Sequence, residues 1–321
     1  MLPFIIQNEK SLCFGCRACE QACKLKAIEM HLDDEGFLYP KINYDLCKNC
    51  GQCSKVCPRG KTLNPILENE PLVFAAWNKD EKVRQTSTSG GIFHSIAKYT
   101  IERNGIVFGS IYTKNWDVIH TKASTIDDLK SMQGAKYVQS DTMDSFSQVK
   151  KLLQENISVY YTGTPCQIAG LKHFLEKSYA NLITSDLICH GVPSITIFKK
   201  QIESIEKIFK KKLLNIDFRN KEKFGWGCHL KLSFQKNKSI HMDSLLNPYS
   251  YGFYKNLILR PSCYKCPFST KYREGDITLG DFWGFNKIFK NIKTGKGISL
   301  ILVNTERGKS ILEKSISDIY L

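Results

Sequence analysis

Cys13, Cys16, Cys19 and Cys23 follow one another as C-x2-C-x2-C-x3-C, and Cys47, Cys50, Cys53 and Cys57 repeat that spacing 34 residues later, closed by Pro58. Thiolates are soft ligands that suit iron–sulfur clusters, and this spacing lets one tight loop reach three irons of a cubane. The fourth cysteine of each run ligates the other cluster in a paired arrangement. The expected ligand sets are therefore Cys13, Cys16, Cys19 and Cys57 for one 4Fe–4S cluster, and Cys47, Cys50, Cys53 and Cys23 for a second. Structural zinc favours two well-separated C-x2-C pairs, so four cysteines crowded into eleven residues argue against it.

Five cysteines remain of the thirteen. Cys166 sits in Thr162-Gly-Thr-Pro-Cys-Gln167, Cys189 in Cys-His-Gly191, and Cys263 and Cys266 form a C-x2-C pair before Pro267. A C-x2-C pair plus two cysteines at strand ends could bind a third cluster. Cys166 and Cys189 could equally be small buried apolar residues, and spacing leaves the two readings open. Cys228 has no assigned task. The seven histidines form no metal-binding pattern, and His190, in the Cys-His-Gly turn, is the one candidate proton donor.

The elements that must position these residues change character along the chain. The stretch from Asn64-Pro65 to Glu70-Pro71 reads as a proline-punctuated linker. It divides residues 1–65 from residues 66–321, the latter having an N-terminal part at about 71–155 and a C-terminal part at 156–321. Beyond it, short apolar runs alternate with amphipathic segments. Strands are expected at 73–77, 106–112, 118–120, 159–161, 182–187, 216–218, 230–234, 277–279 and 298–303. Helices are expected at 91–103, 145–154, 167–177, 195–212 and 307–317. This alternation gives an α+β or α/β class with a mixed sheet. No G-x-G-x-x-G follows the first strand, but Ser87-Thr-Ser-Gly-Gly91 precedes a helix, as an anion-binding loop or a plain hydroxyl cap would.

Composition sets the bounds. The 321 residues carry 46 Lys+Arg against 31 Asp+Glu, a formal charge of +15, with 42% hydrophobic residues, enough for a sizeable core. Each oxidised four-thiolate cluster subtracts about two charges, so three would leave roughly +9. No apolar run reaches membrane-spanning length, and the first residues are too briefly apolar for a signal peptide. A cytoplasmic protein is expected, whose thiols serve metal or redox chemistry and not disulfides. Nothing beyond charge suggests nucleic-acid binding.

Residues 1 to about 65 resemble a two-cluster bacterial ferredoxin. The rest resembles the family of coenzyme F420 hydrogenase/dehydrogenase beta subunits. The matching blocks are Ser87–Gly91, Lys136-Tyr-Val-Gln-Ser140, Thr162–Gln167, Cys189-His-Gly-Val-Pro193, Arg260-Pro-Ser-Cys-Tyr-Lys-Cys266, Asp276–Gly284 and Gly297–Lys309. The resemblance implies an FAD-bearing domain with an adjacent 4Fe–4S cluster held by Cys166, Cys189, Cys263 and Cys266. It assigns flavin contacts to Ser87, Thr88, Ser89, Gly90, Gly91, Lys136, Tyr137, Gln139, Ser140, Thr162, Gly163 and Thr164. The implied activity joins one-electron clusters to hydride exchange with a small organic substrate or a deazaflavin coenzyme. Two alternatives stand beside a self-contained enzyme. One is an electron-transfer subunit that draws on ferredoxin or feeds a partner oxidoreductase, with surface polysaccharide synthesis as one setting for it; the other is a redox-sensing or binding protein with clusters but no flavin.

Overall fold

A computed structural model of the protein describes residues 9–59, 70–292 and 294–321. The expected linker at 64–71 falls mostly outside them. In the N-terminal module, β1 (Ile28–Leu32) and β2 (Leu38–Ile42) pair antiparallel. Their turn is fixed by Asp33, whose carboxylate accepts from the amides of Glu35 and Phe37, and by Gly36 at φ +80°. A short helix follows the middle of each cysteine run, Ala18–Ala22 and Gln52–Lys55. Both are entered through a left-handed residue, Arg17 at φ 57° and Gly51 at φ 75°, which lie 34 positions apart as their cysteines do. The sequence repeat is thus a repeat of backbone shape.

The body is built on a mixed sheet. Its strands are β3 (Leu72–Asn78), β4 (Ile106–Tyr112), β5 (Val118–Ala123), β6 (Val159–Gly163) and β7 (Leu182–Leu187), with β11 (Ile277–Asp281), β12 (Ser299–Val303) and β13 (Ile319–Tyr320). They lie in the order β13-β3-β12-β11-β7-β6-β4-β5. The middle four, β4, β6, β7 and β11, run parallel, and the strands on either flank are antiparallel. Parallel strands need covering on both faces, and successive residues supply it by pointing to opposite sides. Val107 and Tyr160 meet the helices Ile92–Ile101 and Glu306–Lys314 on one face. Phe108, Val159 and Tyr161 meet Ser145–Gln154 and Pro165–Leu175 on the other. Cys16, Ala18 and Val56 of the N-terminal module are buried in that second core. The two halves therefore share one hydrophobic interior.

A separate meander of β8 (Leu213–Asp217), β9 (His229–Phe234) and β10 (Lys238–Asp243) packs under the helix Ile195–Phe209. The expected strands and helices are present with ends shifted by a few residues, whereas β10 and the helix Pro248–Tyr254 were not expected. β10 is mostly polar along its length, so its apolar period is weak. The expected 195–212 helix stops at Phe209 because Lys210 adopts φ 50° and ends it.

Asp276, 2% exposed, ties the parallel strands to their cover. It accepts from the Thr184 amide at 2.8 Å, the Thr184 hydroxyl at 2.7 Å, the Thr305 hydroxyl at 2.8 Å and Arg307 Nε at 3.3 Å. Removing a buried acceptor strands its donors without water. Asp276→Ala is expected to cost about 3 kcal/mol of unfolding free energy in urea denaturation. A loss below about 1 kcal/mol would show that these donors find water instead.

Candidate functional site

In open α/β sheets, ligands sit beyond the carboxyl ends of the parallel strands, and this chain places a cavity of about 760 Å³ there. Thr162 and Gly163 end β6, Ser185 to Leu187 end β7, and Leu279 to Asp281 end β11, all on its wall. That volume lies within the roughly 300–1,000 Å³ of small-molecule sites.

Most of the expected flavin contacts line this one cavity: Ser87, Thr88, Ser89 and Gly91, then Lys136, Tyr137 and Ser140, then Thr162, Gly163 and Thr164. Two do not. Gly90 lies beneath the loop, where a Cβ would stand 2.3 Å from the Ala76 carbonyl, and its amide donates to the Ser299 hydroxyl. Gln139 faces the N-terminal module, where its amide nitrogen donates to the Phe14 carbonyl at 2.9 Å. Two of the loop's three hydroxyls are already engaged, Ser87 donating to Val83 O and Ser89 to Ile298 O. At the helix start it is backbone that meets the cavity. Gly91, at φ +89°, enters the helix Ile92–Ile101 with no side-chain cap, and Gly91, Ile92 and Phe93 line the cavity. An uncapped helix start with its N–H groups on a cavity is suited to an anionic group. Lys136 does not aim its charge at the cavity, because its ammonium donates to the carbonyls of Met132, Gln133 and Gly134, and burial lowers its pKa to about 8.

The Thr-Gly-Thr-Pro-Cys-Gln block is a helix start. Thr164 precedes Pro165 at the first helical position, and its amide donates to the Gln167 side chain at 3.0 Å. This sets Cys166 in the first turn, with its sulfur 3.1 Å from the Thr164 hydroxyl.

The thiols fall into ordered sets. Cys16 lies within electrostatic reach of Cys57 and Cys13, and Cys19 within reach of Cys16, Cys13 and Cys57. Cys166 is similarly close to Cys189 and Cys263, and Cys189 to Cys263 and Cys266. Burial, reinforced by neighbouring thiols, pushes Cys16 and Cys189 up to about 12. Among the described residues no group of three His, Cys, Asp or Glu side chains is arranged to hold a metal ion. The second run is more open: Cys50 is exposed and neighbours Cys53, which in turn neighbours Cys57. Cys23 accepts from the Ala27 amide at 3.3 Å. The sets follow one another inward. Cys166 is also within reach of Cys16, and Cys189 with His190 lines the cavity.

Sequence reasoning missed a further part of the lining. Arg219, 5% exposed, donates to Asp281 at 2.6 Å and Tyr137 at 3.2 Å, and lies over Trp283 at 5.0 Å. Trp283 stacks on Trp226 at 4.5 Å. Tyr254 stands beside Cys228 and Tyr137, and His190 lies edge-on to Phe253 at 4.9 Å with Nε2 on the Phe253 carbonyl. The two aromatic blocks around Trp226 and Trp283 were the available signal.

An iron–sulfur module packed into an α/β body, with a cavity at the strand ends, defines a redox protein. Residues 157–321 match the family described as the C terminus of the coenzyme F420 hydrogenase/dehydrogenase beta subunit, residues 73–146 match its N-terminal counterpart, and residues 12–61 match a 4Fe–4S dicluster domain. The chain belongs to the family of coenzyme F420 hydrogenase/dehydrogenase beta subunits. It is 23% identical over 310 residues to a subunit of the F(420)H(2) dehydrogenase of Methanosarcina mazei, covering 91% of this chain and 82% of that one. It is 26% identical over 167 residues to the coenzyme F420-dependent sulfite reductase of Methanocaldococcus jannaschii, covering 51% of this chain and 25% of that protein. A chain of the F420-reducing NiFe hydrogenase complex from Methanosarcina barkeri has the same fold, with a TM-score of 0.50 at 16% identity, covering 81% of this chain and 84% of that one. Among the described residues no helix is long and apolar enough to cross a membrane.

Gly170, one turn beyond Cys166, has Cys16 against it, and an added Cβ would lie 2.9 Å from the Cys16 sulfur. Gly170→Ala is expected to lower the iron content of the reconstituted protein by about four atoms per chain. Iron and sulfide assays check this, and an unchanged iron count would mean the loop yields without losing its ligand geometry.

Proposed function

We propose that the protein is an iron–sulfur flavoprotein oxidoreductase that passes electrons between 4Fe–4S clusters and an FAD held in the strand-end cavity. The observation that carries this reading is the inward order of thiol sets, from exposed Cys50 through Cys57, Cys16 and Cys166 to Cys189 on the cavity wall. Residues 1–65 act as the ferredoxin-type module and 66–321 as the flavin-bearing body. Cys13, Cys16, Cys19 and Cys57 hold the first cluster, and Cys47, Cys50, Cys53 and Cys23 the second. Cys166, Cys189, Cys263 and Cys266 hold the third.

The chain's own residues fit a flavin nucleotide. The uncapped amides at Gly91 to Phe93 suit its phosphates, and Thr162 to Thr164 bring backbone to the cavity beside the third thiol set. Bound flavin supplies a centre that exchanges two electrons as hydride and single electrons with clusters. Arg219, Tyr254 and Trp283 line the same cavity, where a small organic substrate or a deazaflavin would meet it, and His190 is placed to hold or release a proton there.

A role within a larger complex is favoured by the exposed Cys50 of the second thiol run and by a relative named as one subunit of a dehydrogenase. Under that reading the electrons exit at Cys50 to a partner oxidoreductase. The relatives described above offer no support for a tie to polysaccharide synthesis.

Anaerobic purification with cluster reconstitution is expected to yield about twelve irons and one FAD per chain. Gly91→Val, which forces a β-branched residue into φ +89°, is expected to reduce retained flavin at least tenfold with iron unchanged. About eight irons and no flavin in the parent protein would overturn the reading.

A further inference from the structure

Arg260 is 1% exposed and among the largest fully buried side chains of the protein. Its guanidinium reaches across to the N-terminal module, where Nε donates to the Cys13 carbonyl at 2.7 Å and Nη2 to the Leu38 carbonyl at 2.9 Å. Nη1 donates to the Gln139 side-chain oxygen at 2.9 Å, and the cation lies over the Tyr39 ring at 4.3 Å. The fork presses on the bare Cα of Gly15, between Cys13 and Cys16, where an added Cβ would stand 2.9 Å from Nη1. At its other end, the Arg260 backbone accepts from the Cys263 amide at 2.8 Å and donates to Val192 at 2.9 Å.

Every one of these partners is neutral. A buried cation carries a large desolvation cost unless an opposite charge meets it. Other arginines near the thiols are neutralised: Arg17 by Glu20 and Asp141, Arg273 by Asp186, and Arg59 by Glu9. No carboxylate stands within ion-pair distance of Arg260 among the described residues, yet its charge is felt by Cys16 of the first thiol set and Cys263 of the third.

We infer that Arg260 is the shared counter-charge of the first and third clusters, raising the reduction potential of both. This rests on the ligand sets proposed above. A four-thiolate cluster carries about −2 when oxidised and −3 when reduced, and net charge is one of the levers that set its potential. Each reduction adds one electron to a cluster and needs no proton, so a fixed positive charge between the two favours the reduced form of each. A shift that one group imposes on both potentials leaves the difference between them, and so the driving force between the two sets, little changed. Arg260 is a positioning residue in a second sense, because its fork holds the Cys13 loop.

The test is an electron-paramagnetic-resonance titration of the reconstituted full chain with dithionite, on Arg260→Gln, Arg260→Lys and Gln139→Glu. Arg260→Gln is expected to lower the equilibrium constant for reducing both clusters at least tenfold, which is 59 mV for one electron. Arg260→Lys keeps the charge and loses the fork, and its potentials are expected within threefold of the parent. Gln139→Glu sets a carboxylate against the intact guanidinium and is expected to shift both potentials downward. Unchanged potentials in fully loaded Arg260→Gln overturn the inference, as does a fall in Arg260→Lys as large as in Arg260→Gln. Where Arg260→Gln fails to load, unchanged potentials in loaded Gln139→Glu overturn it. Iron in the parent protein too low for three clusters would instead sink the ligand assignment, which separates the two failures.

Discussion

The sulfur of Cys16 lies so close to the helix Pro165–Leu175 that no side chain fits at Gly170, and the relation between the two halves of the protein depends on that approach. Cys166 is four residues before Gly170, and positions four apart share a helix face. The bare glycine therefore lets a thiol from the N-terminal loop rest on the face that carries a thiol of the body. Ala18 and Val56 complete the contact with 0% exposure, in one core with Phe146 and Ile168. Polar bonds fix the orientation: the Thr142 hydroxyl donates to the Cys16 carbonyl at 3.0 Å, and Arg17 pairs with Asp141. The module is seated by packing as well as by its chain connection, with its inner thiols facing the body and Cys50 left at the surface.

The same economy of backbone shapes the cavity. Ser87 and Ser89 spend their hydroxyls on protein carbonyls and the Gly90 amide donates to Ser299, which holds the loop in one conformation and leaves the helix start at Gly91 to Phe93 for a ligand. Lys221, 3% exposed, reinforces this by donating to the carbonyls of Arg84, Ser89 and Lys296 at 2.6 to 2.8 Å. Three acceptors match the three donors of an ammonium, so the buried lysine acts as a clamp on two loops. Preorganised amides need no rearrangement when an anion arrives, which is the physical advantage of committing side chains to the protein itself.

How much of this could be read from the sequence follows from sequence distance. The paired runs were legible because eight ligands and their turns lie within 45 residues, and spacing alone constrains a cubane. The strands ending beside Thr162, Asp186 and Leu279 were visible as apolar runs, but the cavity beyond their ends follows from their order and parallel direction in the folded sheet, which the sequence does not display. The convergence of Cys166 and Cys189 with Cys263 and Cys266 was not visible either, because about a hundred residues separate the first from the last. Nor was the wall of Arg219, Tyr254 and Trp283, which forms only when the small meander docks beside the main sheet. Side-chain direction was equally hidden: Lys136 and Gln139 fall in one short block, yet one caps a turn and the other braces the N-terminal module.

The charge balance ties these observations together. Of the buried cations, Arg219 and Arg273 meet Asp281 and Asp186, whereas Arg260 and Lys221 meet only neutral oxygens among the described residues. Burial, followed by the charge of nearby Arg219, lowers Lys221 to about 7, while Asp281 and Asp217 act in the opposite direction. A fold that keeps two such groups bears a desolvation cost that its protein partners do not offset. Both stand where the proposed function brings negative charge, Arg260 between two thiol sets and Lys221 behind the loop suited to a phosphate. An anion at either end recovers that cost, so loading and folding are coupled at the two ends of the same path. The formal excess of basic residues is, in part, this same fact seen at the level of composition.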